Sequence, residues 1–112
     1  MNKNPLPLTE TTFFILFSLA SSPKHGYSII KEVEKISGGR VKMAAGTLYG
    51  AIKRLVDCGW IEPTDPTKKT LDERERKYYR LTKEGSSRLT EEILRIRKLS
   101  LLIKDYHTVV GI

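Results

Sequence analysis

A single cysteine, Cys58, stands in the chain, so no disulfide can form within it. A chain without internal crosslinks suits a reducing compartment, and a cytoplasmic location is expected. The two histidines, His25 and His107, lie near opposite ends, and no Cys or His spacing suits a metal. No glycine-rich phosphate loop and no neighbouring nucleophile and base are present, so no enzyme activity and no cofactor are expected. No apolar run reaches the roughly 18–20 residues that a membrane span needs. Acid is short as well. Thirteen Asp and Glu face 20 Lys and Arg, a net charge of +7 over 112 residues. A basic domain of this size favours a polyanionic partner, nucleic acid before an anionic membrane surface.

One short apolar block, FFILFSLA over 13–20, follows Lys3 and precedes two serines and Pro23. Those are the parts of a secretory signal. Glu10 and three threonines interrupt the basic start, however, and Phe13, Leu16, Phe17 and Ala20 recur at helical spacing. The block is therefore expected as a packed helix.

Residues 1–8, with Pro5 and Pro7, read as a flexible arm. Thr9 can cap a first helix that runs to about Ala20, and SSPKHG reads as a turn. A second helix over 26–37 presents Ile29, Val33 and Ile36 inward and ends at Gly38-Gly39. A third, over 46–58, contains AGTLYGAIKRL, with Leu48, Ile52 and Leu55 on one face and Thr47 near its cap. Gly59 ends it. Trp60 to Glu62 and RKYYRL over 76–81 read as two strands of a hairpin around an acid- and proline-containing loop. Thr82 then caps a long helix. Its stripe runs Leu89, Ile93, Ile96, Ser100, Ile103, Tyr106 or His107, Val110, widened by Leu94, Leu99, Leu101 and Leu102.

The expected fold is mainly α with a two-stranded β wing: a winged helix-turn-helix over 9–81, then a long C-terminal dimerisation helix over 82–112. In such a unit the third helix enters a major groove and the hairpin reaches for the backbone.

The placement of charge supports a double-stranded DNA partner. Lys35, Arg40, Lys42, Lys53 and Arg54 fall in a window without a single acid. Small residues (Ala44, Ala45, Gly46, Gly50 and Ala51) keep the start of the third helix slim, so backbone can approach a phosphate. Thr47, Tyr49 and Lys53 are expected near bases or adjacent phosphates, with Arg54 beside them. Tyr27, Lys42 and the wing cations Lys68, Lys69, Arg74, Arg76 and Lys77 are expected on phosphates. Each has a plainer reading. Gly46 can serve a tight turn, Tyr49 can cover the edge of the core, and the wing cations can pair with nearby acids.

Three stretches resemble the PadR family of bacterial transcriptional regulators: HGYSIIKEVEK (25–35), GGRVKMAAGTLYGAIKRLVDCGWIE (38–62) and RKYYRLTKEG (76–85). The resemblance implies a homodimeric winged-helix DNA binder, usually a repressor, whose C-terminal helix makes the dimer contact. Leu89, Ile93, Ile96, Leu99, Ile103 and Tyr106 are the expected interface, with a small-molecule effector nearby. With one C-terminal helix the chain resembles the short subgroup, some members of which hold flat drugs between dimer-related tryptophans of that helix. This chain departs from that pattern, for its only tryptophan is Trp60, at the wing entry. It also has Gly50 where the family often has proline. A competing reading is a protein-interaction module that uses the C-terminal helix alone. It explains the apolar stripe but not the acid-free basic window.

Overall fold

The computed structural model describes residues 7–65 and 77–105. Along the chain come α1 (Glu10–Ser18), β1 (Lys24–His25), α2 (Gly26–Ile36), α3 (Ala45–Asp57), β2 (Ile61–Thr64), β3 (Tyr78–Leu81) and α4 (Lys83–Asp105). The expected arm over 1–8 lies outside the described residues apart from Pro7 and Leu8.

Helix boundaries follow local chemistry. Thr9 caps α1 by accepting a hydrogen bond from the Thr12 N–H at 3.1 Å. After α2, Gly38 and Gly39 take positive φ, and their N–H groups donate to Lys35 and Glu34 carbonyls. After α3, Gly59 does the same at φ +80, with Trp60 N–H reaching back to the Leu55 carbonyl at 3.0 Å. Both are Schellman endings, which need a left-handed residue. Thr82 caps α4 by accepting from the Gly85 N–H at 3.0 Å.

The core is built from Ile15, Leu16 and Leu19 of the first helical segment, Ile29 and Val33 of α2, Leu48, Ala51, Ile52 and Leu55 of α3, then Trp60, Ile61, Tyr79 and Leu89. For α3 the inner face is the one expected. For α1 it is not: Ile15, Leu16 and Ser18 are buried, whereas Phe17 and Ala20 are exposed and Phe13 is half-buried. That segment is apolar nearly all round, so its spacing could not select a face. Ser18 is buried at no cost in unpaired polarity, since its hydroxyl donates to the Ile15 carbonyl at 2.7 Å.

The sheet has three antiparallel strands in the order β1-β3-β2, where a two-stranded hairpin was expected. β2 and β3 pair with Ile61 opposite Leu81 and Thr64 opposite Tyr78. Lys24 and His25, expected within a turn, pair with Tyr79 and Tyr78 on the free edge of β3. Two residues carry no alternation to detect; the edge of β3 recruits them. Lys24 also ties back to α1, donating from Nζ to the Ser18 carbonyl at 2.6 Å.

α4 has 23 residues and is roughly 34 Å long. Its first half lies on the domain through Gly85, Leu89, Glu92 and the half-buried Ile93. Gly85 touches the wing entry so closely that a Cβ would stand 2.7 Å from the Trp60 carbonyl carbon. Glu92 is buried, accepts two hydrogen bonds from the Arg95 guanidinium at 2.8 and 2.9 Å, and accepts a third from the Leu8 N–H at 3.3 Å. The hydrogen bonds from Arg95, ahead of the opposing effect of burial, hold its carboxyl below the ordinary value of 4.5. No helix among the described residues is long and apolar enough to cross a membrane.

Candidate nucleic-acid interface

α3 divides into two faces. Leu48, Ala51, Ile52 and Leu55 close the core, while Gly46, Thr47, Tyr49, Gly50, Lys53 and Arg54 are exposed. Lys53 keeps most of its side chain in solvent and stands 3.9 Å from Asp57, one turn on. At that distance and exposure the pair is weak, so the cation remains available to another anion.

The start of α3 is bare. Ala44 is the N-cap residue and provides no side-chain cap, so Thr47, expected near the cap, is instead the third helical residue. Gly46 is the second residue of α3 and has no left-handed φ, so it serves no tight turn. A Cβ on Gly46 or Gly50 would meet nothing within 4 Å. Uncapped first-turn N–H groups beside a surface free of side chains make a place where a phosphate can come close.

Around α3 the other expected residues divide as follows. Tyr27 projects from the first turn of α2, 59% exposed, with the Lys31 ammonium 5.3 Å from its ring centre. Lys42 is exposed in the connector between α2 and α3. Arg40, counted with the basic window, is instead engaged by Glu10 of α1. Lys77 is exposed just before β3. Lys68, Lys69, Arg74 and Arg76 lie outside the described residues. Across the wing, Arg80 Nε meets Glu62 at 2.8 Å, as their opposed register requires.

Tyr49 is half exposed, and its hydroxyl lies directly over Gly26 at the start of α2. Sequence reasoning placed Tyr49 on the outer face but missed this contact, because it joins residues from two helices. It also missed the capping role of His25, whose Nδ1 accepts from the Ser28 N–H at 3.2 Å. Trp60 is fully buried, with the Arg88 guanidinium 5.6 Å from its ring centre. It therefore cannot present a flat face to a ligand between two protomers. Among the described residues no group of three or more His, Cys, Asp or Glu is placed to hold a metal.

On α4 the expected dimer residues separate. Leu89 is 5% exposed and belongs to the core of its own chain, and Ile93 packs against that core. Both thus pack within their own chain. Ile96, Leu99 and Ile103 continue the same face and are 41–53% exposed, and Leu94, Leu101 and Leu102 elsewhere on the helix are 54–62% exposed. Tyr106 lies outside the described residues.

The model of the transcriptional regulator PadR-like family matches residues 15–91, more than half of the chain. The chain belongs to the PadR-like family of transcriptional regulators. Its fold agrees: a PadR family regulator from Clostridium difficile is 25% identical, superposes with a TM-score of 0.70, and is matched over 86% of this chain and 96% of its own. PadR from Bacillus subtilis, solved in complex with operator DNA, is 21% identical with a TM-score of 0.65, over 89% of this chain and 60% of its own. A 37.1 kDa protein in a transposon of Streptomyces fradiae is 41% identical over 46 residues, 41% of this chain, which spans 13% of that protein's length. The PadR-like chain is thus a winged helix-turn-helix with a small three-stranded sheet and a long C-terminal helix.

Proposed function

We propose that this PadR-like chain is a sequence-specific repressor that binds double-stranded DNA as a homodimer. The observation that carries the reading is the division of α3. One face closes the core, and the other presents Thr47, Tyr49, Lys53 and Arg54 within a stretch of chain that has no acid. The Bacillus subtilis fold relative was solved with its operator, which supports seating α3 in a major groove. There Thr47, Tyr49 and Lys53 approach base edges or adjacent phosphates. Arg54, Tyr27, Lys42, Lys77 and the wing cations Lys68, Lys69, Arg74 and Arg76 grip phosphates and set the register.

The second half of α4 supplies the dimer contact. Ile96, Leu99 and Ile103, with Leu102 beside them, leave an apolar face of α4 open, the kind of surface that marks an interaction site. A second α4 covers it, and the two-fold axis spaces the two α3 helices by about one turn of DNA, roughly 34–36 Å, or a multiple. A small-molecule effector has a place beside that contact. An open groove of about 690 Å³ is lined by Glu91, Leu94, Arg95, Arg97, Lys98 and Leu101. A ligand that favours one spacing of the two readers shifts DNA affinity by that preference. An interaction module acting through α4 alone would use the same leucines but leave the basic face of α3 without a role.

The test is a Lys53→Ala/Arg54→Ala variant, assayed for oligomeric state and for binding to a duplex that the parent protein enriches from a random pool. The reading requires a variant that stays dimeric and loses binding. Undiminished binding would remove α3 as the reader.

A further inference from the structure

Gly26 opens α2 without a left-handed φ, so backbone conformation does not require glycine there. The Tyr49 ring occupies the space instead: a Cβ at Gly26 would collide with the Tyr49 hydroxyl and stand 2.7 Å from Cζ and 3.2 Å from Cε1, so the ring must either turn aside or carry α3 with it. The phenol end of an α3 side chain therefore rests on the backbone that begins α2.

Behind this contact lies the sheet. Lys24 pairs with Tyr79 and His25 with Tyr78, so β3 runs alongside the two residues that lead into Gly26. His25 holds that junction: its ring caps α2 through Ser28 and meets the Tyr78 ring edge-on at 5.2 Å. Tyr79 is buried, and its phenol is pushed above the ordinary value of 10.0, first by burial and then by charge on Tyr49. α3 and β3 thus both abut the start of α2, α3 through the Tyr49 ring on Gly26 and β3 through its pairing with Lys24 and His25.

We propose that the Tyr49–Gly26 contact sets the angle of α3, and that Gly26 is thereby a specificity-determining position that touches no base. Tyr49 is a positioning residue; its phenol end lies against Gly26, and the open part of its ring is left for DNA. The inference rests on the DNA-reading role proposed above. The lever is geometric. α3 has 13 residues and is about 20 Å long. A tilt of about 10° at one end displaces the other by roughly 3 Å, more than a base-edge hydrogen bond tolerates. Long, flexible lysine and arginine side chains follow such a shift and keep their phosphates.

The experiment uses the full chain and a duplex that the parent enriches from a random pool, compared with a scrambled duplex over a series of salt concentrations. For Gly26→Ala, the ratio of the two affinities falls about tenfold or more, the scale of one lost base contact, while the salt slope is unchanged. Tyr49→Ala lowers the ratio similarly, and the double variant matches Tyr49→Ala alone, because no ring remains for the new Cβ to strike. A Gly26→Ala ratio within about twofold of the parent, or single effects that multiply in the double variant, would overturn the proposal. Should Gly26→Ala not fold, NMR on the parent decides: the Tyr49 ring protons must show a nuclear Overhauser contact to the Gly26 Hα protons, and its absence refutes the contact. A parent protein that enriches no duplex would end both the DNA reading and this proposal, while the Overhauser contact still reports whether Tyr49 rests on Gly26.

Discussion

Gly85 gives a prediction whose sign is opposite to helix propensity. In an exposed helical position, replacing glycine by alanine stabilises by about 1 kcal/mol. Gly85 lies in the first turn of α4, and there a Cβ would collide with the Trp60 carbonyl oxygen and stand 2.7 Å from its carbon and 3.0 Å from Trp60 Cα. Those are backbone atoms, so no rotamer change relieves the overlap. The Trp60 carbonyl also accepts the Thr82 N–H at 3.0 Å, and the Thr82 hydroxyl donates to the Gly59 carbonyl at 2.5 Å. Moving α4 away strains both bonds. Overpacking of this kind costs about 1–3 kcal/mol, and each strained bond adds roughly 1 kcal/mol. Against the propensity gain, Gly85→Ala should lose about 2–4 kcal/mol, a fall in Tm on the order of 10–20 °C for a domain of this size. Thermal unfolding by circular dichroism at fixed protein concentration measures it. A Tm equal to or above the parent's would show that α4 does not approach the wing entry as closely as described.

Further outcomes follow from other contacts. Glu92→Gln removes a carboxylate whose folded pKa is depressed by Arg95. The carboxylate favours the folded state above the unfolded value near 4.5 and stops doing so as pH falls through the lower folded value. The parent's Tm advantage over Glu92→Gln should therefore be full at pH 7 and shrink below about pH 4.5; a constant difference over pH 3–7 would contradict the pairing. Leu99→Asp places a charge in the exposed apolar face of α4, and sedimentation should then give monomers with a parent-like helical spectrum. A Leu99→Asp protein that is still dimeric at micromolar concentration would move the interface off this face.

What could be read from the chain alone depended on contrast. The inner face of α3 was legible because apolar and polar residues alternate sharply between Leu48 and Leu55, and the Schellman glycines marked the ends of α2 and α3. α1 was placed correctly but rotated wrongly, since a segment as uniformly apolar as FFILFSLA has no polar side to define an outside. β1 could not be seen: two residues have no period, and their strand exists only because β3 offers an open edge. Along α4 the stripe was visible, yet nothing in its spacing says where the domain ends. Leu89 therefore joined the expected interface although it is spent on the core. The Tyr49–Gly26 and Gly85–Trp60 contacts join distant segments through the absence of a side chain, which no periodicity encodes. The expected wing-tip cations lie outside the described residues.

The central claim is that the exposed face of α3 reads DNA, and fluorescence anisotropy tests it most directly. The full chain would be titrated onto an enriched duplex and a scrambled one at several salt concentrations. Lys42, Arg54 and Lys77 of each copy alone make six phosphate contacts per dimer, so the logarithm of affinity should fall against that of salt with a slope at least as steep as about −5, and the wing cations Lys68, Lys69, Arg74 and Arg76 steepen it further. The enriched duplex should bind more tightly throughout. Equal affinity for both duplexes, or no binding to either at low salt, would contradict the account.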